Sequence, residues 1–222
     1  MLEIDYITDS LKGITHLINE DSTLIIETDN YSLFFIFDGV SMSENSQEGI
    51  RIAGSYIENN YVKYIHEKNV ELSSLIRGAN RAIIESGWKD ALTTYCCLLV
   101  RNNLEIWISH LGDSRIYTLQ KDKIVLQTTD DVLFPGSSIL TRCLGIDRLS
   151  SQDFYEKRIA LLPERILICT DGFYEVMEPQ QETFLKLLDL PDLKQAKSEL
   201  FQLLQGQNRD DATYILVNMK RS

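Results

Sequence analysis

The stretch LFFIFDG, residues 33–39, decides the architecture of this chain. Its five consecutive apolar residues, rich in aromatic side chains, predict a strand that is buried on both faces. Asp38 follows that strand directly and precedes Gly39, so a carboxylate is placed at the edge of a desolvated core. A charged group in such a place is costly unless it is paired or binds a metal.

The same arrangement recurs at three other predicted strand ends. They are Asp171 after the run 166–170, Asp113 after the run 106–112, and the pair Asp210–Asp211 before the run 212–217. Taken singly, each is the ordinary chemistry of a turn. Together with the acidic cluster at 19–21, these ends could converge on a hard divalent cation, which prefers oxygen ligands.

The overall composition narrows the function classes. The 222 residues include 33 acidic and 22 basic side chains, which gives a net charge of −11. This balance argues against a nucleic-acid or anionic-membrane binder, because both need basic patches. A chain that is 44% apolar and 25% charged is typical of a globular protein, and we predict a single domain over residues 1–222.

The four cysteines and the N-terminal residues indicate the cellular compartment of the protein. The cysteines form no C-x-x-C pair, and most lie in apolar runs, which predicts buried free thiols: Cys96, Cys97, Cys143 and Cys169. The sequence shows neither a secretory signal nor an apolar run of membrane-spanning length. We therefore predict a cytoplasmic protein.

Hydrophobic periodicity predicts an α+β order of elements. Strands are expected at 22–27 and 31–37 around a turn at 28–30, helices over 50–64, 72–83 and 193–203, two hairpins at 93–101/105–111 and 115–119/123–127 with turns at 102–103 and 121–122, and strands at 154–161, 165–170 and 212–218. The stretch 130–138 is expected to be irregular. Short links between successive strands predict antiparallel pairing, with the helices covering the sheets.

Seven short segments follow one another in an informative order. They are GITHLINED at 13–21, FDG at 37–39, TT at 93–94, LGDSR at 111–115, LTRCLG at 140–145, CTDGF at 169–173 and DDAT at 210–213. In this order they resemble the G-x-x-R-x-x-N-E-D, F-D-G, G-T-T, V-G-D-S-R, I-T-R-A-L-G, S-D-G-L and D-D-A-T elements of the metal-dependent type-2C protein Ser/Thr phosphatases. The resemblance covers essentially the whole chain.

The resemblance implies a four-layer α-β-β-α sandwich, with two antiparallel sheets flanked by helices and a binuclear Mn²⁺ or Mg²⁺ centre at one end. Asp38 would bridge the two metals. The Gly39 carbonyl and Glu20 would serve one metal, and Asp171 and Asp210 would hold the other. The implied metal-binding set is Glu20, Asp21 (as a ligand or a supporting group), Asp38, Gly39, Asp113 (for a third, weaker metal), Asp171 and Asp210.

The implied activity is hydrolysis of phosphoserine and phosphothreonine in proteins by attack of a metal-bridging water, opposed by a cognate kinase. Two metals about 4 Å apart would lower the pKa of that water, neutralise the phosphoryl oxygens and orient the attack. No protein nucleophile is then required. The complete set of carboxylates argues against a decayed enzyme, since clustered carboxylates without a metal repel one another.

Three departures from the family pattern matter. His16 stands at the position of an Arg that binds the substrate phosphate in the family. A histidine is expected to be largely neutral at pH 7 and cannot form the two parallel hydrogen bonds of an Arg. Phosphate binding should therefore be weaker, unless Lys12 takes over this role. The continuation VSMS at 40–43 lacks the glycines and the histidine found in relatives, and Leu92 replaces the glycine of G-T-T. The flap at 130–139 is short, which should leave an open site.

These departures keep other interpretations open. The chain could be a phosphatase-like binding or regulatory module with little turnover, because its phosphate grip is altered and its flap is short. It could also be a phosphatase for a small phosphoester, which an open site would favour. His16 itself could be an exposed loop histidine without a role in substrate binding.

Overall fold

The computed structural model describes residues 2–67, 69–121, 123–160 and 163–221. Its strands are β1 (Leu2–Leu11), β2 (Ser22–Glu27), β3 (Tyr31–Phe37), β4 (Ile65–His66), β5 (Asn69–Val70), β6 (Tyr95–Arg101), β7 (Ile106–Leu111), β8 (Arg115–Gln120), β9 (Lys123–Leu126), β10 (Lys157–Arg158), β11 (Arg165–Cys169) and β12 (Ala212–Arg221). Its helices are α1 (Ser46–Asn60), α2 (Leu72–Glu85), α3 (Asp171–Met177), α4 (Gln181–Leu188) and α5 (Leu193–Leu204), with 3₁₀ turns at Tyr61–Lys63 and Glu178–Gln180.

Two five-stranded antiparallel sheets form the centre of the molecule. One sheet has the order β1-β12-β11-β8-β9 and the other the order β10-β7-β6-β3-β2. Helices α1 and α2 pack on the outside of the second sheet, and α3, α4 and α5 pack on the outside of the first. The predicted α-β-β-α sandwich is therefore confirmed.

Strand β3 shows why the apolar run 33–37 is continuous. Phe34 and Ile36 point between the two sheets, whereas Leu33, Phe35 and Phe37 point outward against α1 and α2. Both faces of the strand are buried, so no polar alternation is tolerated. The β3 backbone pairs with β2 on one side and with β6 on the other, and this pairing fixes the end of the strand, directly before Asp38.

Most predicted elements are confirmed, including both hairpins and the helices at 72–83 and 193–203. Helix α1 ends at Asn60, so the predicted positions Tyr61 and Tyr64 lie beyond it. The predicted turn at 121–122 and the predicted strand at 154–161 lie partly outside the described residues, which do not include Asp122 and Leu161. The predicted strand at 154–161 is wrong in extent, because only Lys157–Arg158 pair with β7.

Five helices and strands were not predicted: β1, the two-residue strands β4 and β5, α3 and α4. The sequence of β1 mixes Asp, Thr and Ser with its apolar residues, and it is held as a strand by pairing with β12 over all ten residues. Helices α3 and α4 are seven and eight residues long, too short to show a clear apolar stripe.

All four cysteines are buried and free, as predicted. In the part of the chain that the structure describes, no helix combines the length and the apolar character that a membrane span requires.

Candidate metal centre

The end of β3 is held by the threonine pair at 93–94. The Thr93 hydroxyl and the Thr94 amide both donate to the carbonyl of Asp38, each at 2.8 Å. Thr93 also bridges Gly39 on one side and Leu144 on the other. The TT segment therefore fixes the backbone of Asp38 and leaves its carboxylate free to point away from the strand.

Gly39 lies where three segments meet closely. Its amide donates to the carbonyl of Glu20 at 3.2 Å. A Cβ at this position would lie 2.9 Å from the Cβ of Glu20 and 3.0 Å from the Cβ of Ser46, so only glycine allows this approach. The Ser46 hydroxyl, at the start of α1, donates to the Glu20 carboxylate at 2.6 Å and orients it.

Asp21 and Asp171 meet at the end of β11. The Thr170 hydroxyl donates to the Asp21 carboxylate at 2.9 Å, which ties the loop after β1 to the end of β11. Asp171 is the next residue and the first of α3. The two carboxylates thus come together from positions 150 residues apart.

Asp113 is placed by a glycine in the left-handed region. Gly112 has φ of +105°, and a Cβ there would lie 2.6 Å from the side chain of Thr94. The Thr94 hydroxyl in turn lies 2.8 Å from that of Ser114. The sharp turn brings Asp113 to the same end of the sandwich as Asp38.

These aspartates raise one another's pKa values. Burial raises the pKa of Asp38 well above its usual value, and the charges of Asp21, Asp171, Asp113 and Asp210 raise it further. Burial also raises the pKa values of Asp21 and Asp171, with Asp210 adding to both. Burial, followed by the charge of Asp130, raises the pKa of Asp113 to about 6.

Within the described residues, no Lys or Arg forms an ion pair with any of these five aspartates. Partly buried carboxylates that repel one another and lack a Lys or Arg partner favour protonation or the binding of a cation. The donors are oxygens, which hard divalent ions prefer. The residues present therefore fit a divalent metal centre, with Asp38, Gly39, Glu20, Asp21, Asp113, Asp171 and Asp210 available to hold it.

Asp211 organises the loop that carries Glu20 and His16. One of its carboxylate oxygens accepts from the Gly13 amide at 2.7 Å and the other from the Glu20 amide at 2.8 Å. Asp211 is almost completely buried, and both oxygens are already used by the backbone. The Asp210–Asp211 pair was predicted to lie at a strand end near a cation, but the role of Asp211 in holding the backbone of this loop was not predicted.

His16 lies between the two aspartates of that doublet. Its Nε2 is 3.3 Å from Asp210 and its Nδ1 is 3.1 Å from Asp211, and the three side chains could share a cation. Burial lowers the pKa of His16, but the contact with Asp211 and the charges of Asp210, Asp211 and Glu20 outweigh it and raise the pKa above its usual value. His16 is therefore more cationic near neutral pH than its residue type alone suggests.

A comparison with known families gives this geometry a context. The model of the family described as Protein phosphatase 2C matches residues 14–212. The chain belongs to the protein phosphatase 2C family.

Sequence relatives of this phosphatase 2C chain are distant. It is 24% identical over 172 residues to the serine/threonine protein phosphatase PstP of Mycobacterium tuberculosis, a match that covers 67% of this chain and 32% of that protein. The chain therefore spans about a third of the length of the curated relative it matches.

Solved structures share the phosphatase 2C fold over nearly the whole chain. The catalytic domain of PstP, in complex with two manganese ions, superimposes with a TM-score of 0.76 at 21% identity and covers 100% of both chains. The serine/threonine phosphatase Stp1 of Staphylococcus aureus gives a TM-score of 0.82 at 22% identity, with 100% of this chain and 96% of that chain covered.

The departures from the phosphatase 2C motifs have local consequences. Lys12 donates from its amine to the carbonyls of Gly13 and His16, so it braces the loop that carries His16. After Gly39, the segment 40–43 is anchored by Ser43, whose hydroxyl donates to the carbonyl of Asp90 and accepts from the Leu92 amide. These bonds hold the loop in place without the glycines of the family pattern.

The short flap is anchored beside Asp113. The Asp131 carboxylate accepts from the Gly112 amide at 3.0 Å and pairs with Arg142, while the Asp131 amide donates to the Gly112 carbonyl at 2.9 Å. Arg115 pairs with Asp130 at 2.7 Å. Beyond this base, the flap turns back on itself through a bridge between Val132 and Leu140.

Proposed function

We propose that this chain is a metal-dependent phosphatase that hydrolyses phosphoserine and phosphothreonine in proteins. The observation that carries the proposal is the grouping of Asp38 with four other aspartates at one end of a phosphatase 2C sandwich, where their charges raise its pKa and no Lys or Arg of the described residues pairs with any of the five. Such a cluster suits divalent cations, and PstP, which shares the fold, holds two manganese ions.

We assign the metal-binding roles as follows. Asp38, Glu20 and the Gly39 carbonyl, together with Asp171 and Asp210, would hold two Mn²⁺ or Mg²⁺ ions, with Asp38 shared between them. Asp21 supports Asp171 through Thr170, and Asp113 serves a weaker third ion. When bound, the cations supply the Lewis acidity that makes water a nucleophile near neutral pH and that offsets the charge of the phosphate.

The protein side chains position the substrate. His16 is the nearest basic group to Asp210 and gains positive charge from its acidic neighbours, so we infer that it binds an oxygen of the substrate phosphate. A single imidazole N–H gives one charge-assisted hydrogen bond, whereas the Arg of the family pattern offers a bidentate pair. Lys12 supports this contact indirectly, through the backbone of the His16 loop.

The biological setting is also a proposal. A phosphoprotein substrate implies a Ser/Thr kinase that installs the phosphate. The net charge of −11 supports neither a nucleic acid nor an anionic membrane as partner. Free buried cysteines are usual in the reducing cytoplasm, which supports a role in intracellular signalling.

The decisive experiment is hydrolysis of an aryl phosphate by the purified protein with Mn²⁺, with Mg²⁺ and with a chelator, beside the variant Asp171→Asn. We expect turnover that requires metal and is lost in the variant. A control variant, Asp192→Asn, changes an exposed carboxylate that only caps α5 and should keep full turnover. Equal turnover with and without chelator would overturn the proposal.

A second candidate function is a phosphatase-like binding module with little turnover, and it is favoured by His16 in place of Arg. Under this alternative, the protein binds Mn²⁺ and a phosphopeptide but releases no inorganic phosphate. Calorimetric titration with both ligands, run beside the phosphate-release assay, separates the two functions.

A further inference from the structure

The rim of the candidate centre is unusually apolar and uncharged. Seven of the thirteen large apolar side chains that are exposed in the described residues lie on three short loops, at 13–19, 40–43 and 132–140. They are Ile14, Leu17, Ile18, Met42, Leu133, Phe134 and Ile139. We call these three loops the apolar rim.

Each loop of the apolar rim adjoins a candidate metal-binding residue. The loop 13–19 leads into Glu20 and lies along residues 208 and 209, next to Asp210. The loop 40–43 follows Gly39 directly. The loop 132–140 follows the flap base, where Asp131 is bonded to Gly112 beside Asp113. The rim therefore lies beside the centre, where a phosphorylated segment can contact it.

The apolar side chains of the rim are highly exposed and do not pack into the core. Leu17 is 97% exposed and Met42 is 95% exposed, so neither side chain contributes to the core. Phe134, at the tip of the flap, is 60% exposed. Exposed apolar side chains that are concentrated beside a functional centre mark an interaction surface more often than a stability requirement.

Charge indicates what the rim accepts. None of the twenty residues in the three loops is Asp, Glu, Lys or Arg, although a quarter of the chain is charged and about five would be expected. Apart from His16, which faces Asp210 and Asp211, the rim offers no cation to acidic residues beside a phosphate, and it offers no anion to basic ones. The net charge of −11 further disfavours an acidic segment.

We infer that the preferred substrate is a phosphoprotein segment with apolar, uncharged side chains on both sides of the phosphorylated residue, and that the apolar rim binds those side chains. This inference rests on the proposed phosphatase function. Burial of two or three apolar side chains would supply binding free energy that the single hydrogen bond of His16 does not.

The test compares three phosphothreonine peptides of equal length, with apolar, neutral polar or acidic flanks, against an aryl phosphate as the reference substrate with Mn²⁺. For the native protein we expect kcat/KM to favour the apolar peptide by at least about tenfold over the polar one. In the triple variant Leu17→Ser/Met42→Ser/Phe134→Ser, that preference, normalised to the aryl phosphate, should fall about tenfold.

Val62→Ser is the matched control. Val62 is 61% exposed and lies beyond the C-terminal end of α1, about 22 Å along the helix from the end that carries Ser46. This variant should keep both the activity and the peptide preference of the native protein. An equal preference for the three peptides, or a preference that survives in the triple variant, would overturn the inference while leaving the phosphatase function intact.

Two further measurements separate the remaining outcomes. Fluorescence anisotropy with the same peptides reports binding without turnover, so selective binding with no hydrolysis would support the rim and overturn the phosphatase function. No binding and no hydrolysis would overturn both. Sedimentation of the native protein and the triple variant tests whether the rim joins two copies of this chain; a native dimer that the triple variant loses would also overturn the inference.

Discussion

Two groups of aspartates lie next to each other at one end of the sandwich, and they differ in what balances their charge. At the flap base, Asp130 pairs with Arg115 and Asp131 with Arg142. At the candidate centre, Asp38 and its four acidic neighbours have no such partner among the described residues, and burial with mutual repulsion raises the pKa of Asp38. The first group is neutralised by the chain itself, whereas the second requires a cation from solution.

This difference distinguishes a carboxylate with a structural role from one that is available to bind metal. Both groups contain side chains that are only partly accessible to water, so burial does not separate them. The two groups differ in the side chain that pairs with each carboxylate. A carboxylate paired with a guanidinium holds a loop in place, whereas carboxylates without a guanidinium remain available to a divalent ion. Four experiments test whether the two groups differ in this way.

Removing the central carboxylate should have the largest effect. Asp38→Asn should abolish Mn²⁺ binding and lower phosphatase turnover by at least about a thousandfold, because the bridging position loses its charge. Calorimetric titration with Mn²⁺ and phosphate release check both effects. Retention of most activity would show that Asp38 does not bridge the metals.

Breaking the paired group should instead affect stability. Arg142→Ala leaves the Asp131 carboxylate buried without its cation. Loss of a fully buried partner costs about 3–5 kcal/mol, and the partial exposure of Arg142 should reduce this to about 2 kcal/mol. Urea denaturation measures the change. Arg81→Ala, which breaks an exposed pair with Glu85, is the control and should change stability by less than about 0.5 kcal/mol.

The metal-free centre should make stability depend on pH. The pKa of Asp113 is raised to about 6 in the folded protein, so the native state binds more protons than the unfolded chain between about pH 4 and pH 6. The free energy of unfolding should therefore fall as the pH rises through this range.

In chelator, we expect the protein to melt a few degrees higher at pH 5 than at pH 7, and we expect Mn²⁺ to remove or reverse this difference. Asp113→Asn should flatten the profile. A melting temperature in chelator that rises from pH 5 to pH 7 would contradict the repulsion argument.

Adding a permanent cation to the centre should have the smallest effect. His16→Arg makes the centre resemble the flap base and restores a bidentate group for phosphate, so KM for a phosphopeptide should fall about three- to tenfold. His16→Ala is the control and should raise KM. An unchanged or raised KM in the Arg variant would show that His16 does not contact the phosphate.

The sequence alone could predict much of the centre. Strand ends are visible where an apolar run stops, so Asp38, Asp113, Asp171 and Asp210 were found from local pattern. Hairpins with short turns predicted the antiparallel sheets, and seven motifs in order predicted the family. Strand ends, hairpins and each single motif are local, because each depends on neighbouring residues; only the order of the motifs spans the chain.

Other features depend on contacts between distant segments and were decided only by the tertiary structure. Strand β1 exists because β12, 200 residues later, offers a partner for its whole length. Asp211 organises the loop after β1 only because the ends of the two strands meet. The raised pKa of His16 comes from Asp210 and Asp211, which no local pattern connects to it.

The sequence therefore determined which carboxylates lie at strand ends and which family the chain resembles. Only the folded structure decided which of those carboxylates receive a guanidinium and which remain without one. The physical reason is that strand propensity is set by neighbouring residues, whereas the charge balance of a buried group is set by whatever the rest of the chain brings within a few ångströms of it.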